Sequence, residues 1–357
     1  MARSRGSVDN TTTYLSVNHR ELKMSNGNHS PTILTPATSV APSTTGVSDK
    51  PKLPLAVRKN VRDNWEAKRS ELEARLSSVL GTPWTAAIDP AELFSFATGN
   101  QYASQNMGEM IAEYISTATD RVTEFSEKYG SDGISDLNNV AGQHTIGIAH
   151  TSRSDVNYSG CEISNGCLLL LFKDDGLGVN IYSAADDLAI AVDNAEVVGN
   201  GGDVTKLGFL ARSSIKADYD LKIDEVKADI QKTLDLSVLE LSPGFEENYA
   251  KLATYDAAKN YDFPRDFKEV FGDYVFQYFE GFAEALKDSG FAGDDMMQEG
   301  FKEAVEKNEI GLRVVDKLEK GDYNECVIEN GVVYMQTTAE NWTVNIRDPA
   351  RRLIDLL

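Results

Sequence analysis

Gln143-His144-Thr145-Ile146-Gly147-Ile148-Ala149-His150, then Cys161-Glu162-Ile163-Ser164, Asn165-Gly166 and Cys167-Leu168-Leu169-Leu170-Leu171-Phe172, form the stretch from which the fold is read. Here the apolar period changes from 3.6 to 2, and Asn165-Gly166 and Asp175-Gly176 interrupt apolar runs with the dipeptides that suit two-residue hairpin loops. Counting outward from the first corner pairs Ser164 with Cys167, Ile163 with Leu168 and Cys161 with Leu170. From the second it pairs Phe172 with Val179 and Leu170 with Ile181. Alternation then gives one apolar face of Cys161, Ile163, Leu168, Leu170, Phe172, Val179 and Ile181. His144, Ile146, Ile148 and His150 share a face of the first strand.

Outward from this sheet the chain reads as helices. Val57, Val61, Trp65, Leu72, Leu76 and Val79 predict a helix over 56–80, ended by Gly81. Met107, Ile111, Tyr114, Ala118, Val122, Phe125 and Tyr129 predict another, up to Gly130. Helical spacing returns over 215–234, and the segment after Pro264 is aromatic on most sides, with Phe267, Phe271, Tyr274, Phe276, Tyr278, Phe279 and Phe282. A helix apolar all round is a buried one, so it is expected to lie across the apolar sheet face. Two more helices are expected over 294–320. Asn330-Gly331 predicts a third hairpin, with Trp342, Val344 and Ile346 as one more strand of the same sheet and Asp348-Pro349 opening a last helix. No internal repeat stands out.

The chain carries 35 Lys and Arg against 56 Asp and Glu, a formal net charge of −21. Residues 1–60 hold eight of the former and three of the latter, leaving 27 against 53 for the remainder. So acidic a body repels polyphosphate, which argues against nucleic acid as a partner. No run of apolar residues is long enough for a membrane span. Cys161, Cys167 and Cys326 fit a reducing compartment, hence the cytoplasm. Residues 1–54, rich in Ser, Thr, Asn and Pro, predict a disordered tail with possible proline-directed phosphorylation at Ser30 and Thr35 and a weak likeness to a transit peptide. Residues 55–357 are expected to form a single domain: helices over 56–130, the sheet over 143–193, helices over 204–320, then a hairpin and helix over 325–357.

Chemistry is thinly marked. Glycine-rich phosphate loops, the serine-hydrolase elbow and Cys-x-x-Cys spacing are all missing, and no cofactor or metal is implied. His144 and His150 lie six residues apart on one strand, roughly 20 Å, too far to share a metal ion. His150 borders Thr151-Ser152-Arg153-Ser154-Asp155, so His150, Arg153 and Asp155 are the catalytic candidates. Tyr182, Cys167, Tyr274 and Tyr278 are the ligand-binding candidates, facing a pocket between the sheet and the aromatic helix 264–287. The expected fold is α+β, an antiparallel sheet of about five to seven strands with helices on one face. The expected function is an intracellular binding or interaction protein with a protein or small-molecule partner and a regulatory tail; an enzyme or small-ligand carrier is the alternative.

Overall fold

A computed structural model of the chain describes residues 52–259 and 267–357, and the tail expected over 1–54 falls outside them but for its last three residues. From there the chain builds one succession of elements twice. The first pass is α1 (Leu55–Asn60), a π-helical turn (Val61–Glu66), α2 (Arg69–Leu80), β1 (Thr85–Ala86), α3 (Pro90–Phe94), α4 (Gln101–Gln105), α5 (Met107–Val140), β2 (Thr145–His150), β3 (Ser159–Ser164) and β4 (Cys167–Phe172). A connecting helix, α6 (Leu188–Gly199), follows. The second pass is α7 (Phe209–Ser214), a π-helical turn (Ile215–Asp220), α8 (Ile223–Leu234), β5 (Glu240–Ser242), α9 (Phe245–Lys259), α10 (Phe271–Asp288), α11 (Asp295–Ala304), β6 (Glu309–Val315), β7 (Asn324–Glu329) and β8 (Val332–Thr338).

Each repeat has its own four-stranded sheet, in the orders β1-β2-β4-β3 and β5-β6-β8-β7. In both, the first three strands run parallel and only the terminal hairpin is antiparallel. The expectation of one antiparallel sheet of five to seven strands is therefore overturned, as is that of a chain without internal repeats.

The repeats agree residue by residue at the places where geometry is demanding. Gly108 in α5 and Gly272 in α10 each meet the π-helical turn of their own repeat, where a Cβ would lie 2.6 Å from the Cα of Val61 or Ile215. The amide of Gly108 donates to Asn60 Oδ1 (2.7 Å) and that of Gly272 to Ser214 Oγ (3.0 Å). Helix α2 ends at Gly81 (φ 69°) and α8 at Asp235 (φ 51°), both left-handed. His144 (φ 47°) and Asn308 (φ 51°) make the same left-handed step into β2 and β6. Tyr114 and Tyr278 are both fully buried, and both hydroxyls bond the loop that follows the hairpin, at the Gly178 amide (3.2 Å) and the Trp342 carbonyl (2.9 Å). Cys161 and Cys326 take the same place on β3 and β7.

The first hairpin has the register read from Asn165-Gly166: Ser164 faces Cys167, Ile163 faces Leu168 and Cys161 faces Leu170. The hairpin read from Asp175-Gly176 does not form. Strand β4 already has β2 on one side and β3 on the other, so no edge is left to take residues 177–182. Val179 and Ile181 leave the sheet, and Ile181–Ser183 is a 3-10 turn. The same occupancy of β8 keeps Trp342, Val344 and Ile346 out of the second sheet, and Asp348-Pro349 opens no α-helix, since only a 3-10 turn at Leu353–Leu356 follows. β6 lies within the span read as helical, while the late strands form a second sheet and do not extend the first.

Two apolar cores result. One gathers α1, α2, α5, α6 and the first sheet around Trp65, Trp84, Ile111, Tyr114, Leu168 and Leu170. The other gathers α7 to α11 and the second sheet around Phe271, Phe279, Phe282, Met335 and Trp342. Helix α10 is the buried aromatic helix its composition announces, with its apolar residues in the second core and not across the first sheet.

Candidate functional site

Among the sequence candidates, His150 ends β2 and Asp174 follows β4, its parallel neighbour, which places both at the carboxyl ends of adjacent strands. Nε2 of His150 lies 2.6 Å from Asp174 Oδ1, and the ring stacks on Phe96 at 5.0 Å. A carboxylate holding one ring nitrogen while the other is available is the arrangement of a general base. Asp174 is 84% exposed, so the pair is open to water. In the second repeat Val314 and Ala339 occupy the corresponding positions; the pair belongs to the first repeat alone.

Arg153 and Asp155 do not join it. The Arg153 guanidinium binds Asp155, with Nε at 3.1 Å, and reaches Glu162 Oε2 at 2.9 Å. This holds Asp155 below the usual aspartate range and raises Arg153, the hydrogen bond between the two being the largest cause in each case. Alternation along the paired strands puts Glu162 on the sheet face opposite His150. Its other oxygen, Oε1, is buried without a partner among the described residues.

The ligand-binding candidates are dispersed. Cys167 pairs with Thr145 at the amino ends of the strands, some five residues or about 16 Å from Phe172 and His150. Tyr182 is exposed, with its carbonyl accepting from Arg121 (3.0 Å). Tyr274 and Tyr278 lie in α10 of the second repeat, Tyr278 fully buried, its hydroxyl pushed up by burial. Among the described residues α10 packs into the second core, so these two tyrosines do not face the first sheet as expected. Burial also raises all three thiols, Cys326 to about 12, which leaves them poor nucleophiles.

What the sequence reading missed is the junction of the repeats. An open cleft of about 910 Å³ lies there, between the last turns of α5, the α7 and π-helical segment, and the start of α10. Phe209 is buried at its floor, stacked on Phe125 (5.6 Å) and edge-on to Tyr129 (4.9 Å). Two cations of the second repeat cross to carboxylates of the first: Arg212 to Asp136 (3.2 Å) and Lys216 to Asp132. Arg212 is gripped from a second side by Glu196 of α6 (2.8 Å), which raises its pKa, while Lys216 holds Asp132 below the usual range. Lys128 lies 4.8 Å over the Tyr129 ring. Beneath the cleft, buried Asp193 of α6 accepts from the Leu210 amide (3.1 Å) and Lys268 (2.9 Å), fastening α6 to the second repeat.

Five carboxylates line the cleft against three cations, and those cations are engaged as described; Asp218 is paired with Lys222 (3.4 Å), so Glu269 and Asp273 of the second repeat are its least compensated charges. The signal that could have pointed here was the internal repeat, legible in Gly108 and Gly272, Tyr114 and Tyr278, Cys161 and Cys326, and the Asn-Gly corners at 165 and 330. Comparison with protein-family models, with curated proteins and with solved structures finds no match. Among the described residues no group of His, Cys, Asp and Glu has the arrangement of a metal site, and no helix is long and apolar enough to cross a membrane.

Proposed function

We propose that this chain is a binding or interaction protein of a reducing, cytoplasmic setting, and that it takes its partner, a basic polypeptide segment, in the cleft between its repeats. The observation that carries this reading is the cleft itself, a concave surface at the junction of two folded units, where binding sites concentrate. Its chemistry supports the partner class: Glu269 and Asp273 offer negative charge in the same cleft as the half-buried ring of Tyr129. An acidic body adds long-range attraction for a basic segment and repels polyphosphate.

Calorimetric titration of the full chain with an oligolysine peptide at low salt tests it. Binding is expected, and the double substitution Glu269→Gln and Asp273→Asn should weaken it by about tenfold or more, each charge contact contributing about 1 kcal/mol. Equal affinity in the double variant would remove the cleft from the reading.

A further inference from the structure

The junction between the repeats has counterparts at the two far ends of the described chain, and both are exposed. Within the chain, Phe209 supplies the apolar plug and Arg212 and Lys216 supply the cations that cross to Asp136 and Asp132. The first repeat carries Leu55 and Arg58 in α1 and Arg62 in its π-helical turn in those three places, as the second carries Phe209 and Arg212 in α7 and Lys216 in its own turn. Leu55 is 74% exposed, Arg58 makes no ion pair with a described residue, and Arg62 pairs only with its neighbour Asp63.

At the other end, α11 corresponds to the part of α5 that carries Asp132 and Asp136, with Met296 and Gly300 in those two places and Glu299 and Glu303 in the places of Ser135 and Asn139. Non-helical Gly130 precedes that part of α5 as Asp294 caps α11; Leu137 and Phe301 are both buried, and their carbonyls accept from the Ala141 and Val305 amides. The outward stripe of α11 is Asp295, Met296, Glu299 and Glu303, with Met296 77% exposed. Leu55 and Met296 are two of the three most exposed large apolar side chains among the described residues, and each sits beside charge of opposite sign to the other's surroundings.

We propose that copies of this chain associate head to tail, the Leu55, Arg58 and Arg62 face of one against the Met296, Glu299 and Glu303 face of the next, through the same two faces that meet at the internal junction but with Glu299 and Glu303 as the carboxylates. Such a contact is heterologous, so each copy keeps one free end of each kind and association continues until the rotation between copies closes a ring or extends an open chain. It is weaker than the internal junction. Phe125 and Tyr129 have only Ser289 and Gly293 as counterparts, because α10 stops at Asp288 where α5 continues. Its charged part lies on the surface, and salt screens it.

Sedimentation velocity of the full chain across a wide concentration series tests this. The weight-average coefficient should rise with concentration at low salt and stay at the monomer value at high salt. Arg58→Glu with Arg62→Glu should abolish the rise, as should Glu299→Arg with Glu303→Arg, and an equimolar mixture of the two charge-reversed proteins should restore it. Met296→Ser, which leaves every charge in place, should weaken association about threefold or more, as loss of one exposed apolar contact does. A wild-type chain that stays monomeric at every concentration in low salt overturns the proposal, and so does association that neither charge-reversed protein disturbs.

Discussion

A glycine inside a helix costs about 1 kcal/mol relative to alanine, so on propensity alone Gly108→Ala and Gly272→Ala would stabilise α5 and α10. The structure reverses the sign. At both positions the new methyl group would lie 2.6 Å from backbone of the crossing π-helical turn, which is no flexible side-chain end and has to be displaced whole. Each substitution is expected to destabilise by about 2–3 kcal/mol, in the range of core overpacking, read as a shift of the urea midpoint without change of slope. An unchanged or raised midpoint would mean that the helix crossing is loose. Residues of this kind are poorly legible in sequence: Gly108 sits in an apolar stripe that predicts a helix well, but its reason for being glycine lies in Asn60 and Val61, which no local pattern connects to it. Cys161 and Cys326 were legible as unpaired thiols and not as equivalent positions.

Of the three hairpins announced by turn dipeptides, two came out as read and the one at Asp175-Gly176 did not. Asn165-Gly166 and Asn330-Gly331 put the register of both hairpins within reach of counting, because a two-residue loop leaves pairing no freedom. Parallel pairing leaves no such mark. Residues 151–158 and 316–323 carry the chain past the neighbouring position, so that β4 and β8 insert beside β2 and β6, and nothing in those loops says where the next strand will lie. The aromatic content of α10 foretold its burial but not its partner sheet, since a second core was not in view. The junction between the cores depends on Phe209, which is buried against Phe125 and Tyr129. Phe209→Ala should cost about 3–5 kcal/mol and uncouple the repeats, so that calorimetry shows a broadened or double transition where the wild type shows one. A single sharp transition at the wild-type temperature would show that the repeats hold together without it.

For the molecule as a whole, a formal charge of −21 sets self-repulsion against a scatter of exposed ion pairs, and pH separates the two. Asp132 is held below its ordinary value of 3.8 chiefly by its hydrogen bond to Lys216, and Asp155 by its bond to Arg153. A carboxylate depressed in the folded state binds its proton less readily there than in the unfolded chain. Its contribution to stability is therefore complete above about pH 4 and is lost as the pH falls through the folded-state value. Both groups are reached by solvent, so each contribution is small, but Asp132 differs from Asp155 in what it joins: its partner stands on the other repeat. Asp132→Asn should lower the melting temperature slightly near neutral pH, and the difference from the wild type should vanish as the pH falls below about 4. In the Phe209→Ala background, where this latch and the Arg212–Asp136 pair carry more of the junction, the same change should further separate the two transitions. Melting curves of the four proteins between pH 2.5 and 7 decide it: if Asp132→Asn runs parallel to its parent in both backgrounds, the pair across the cleft does not hold the repeats together.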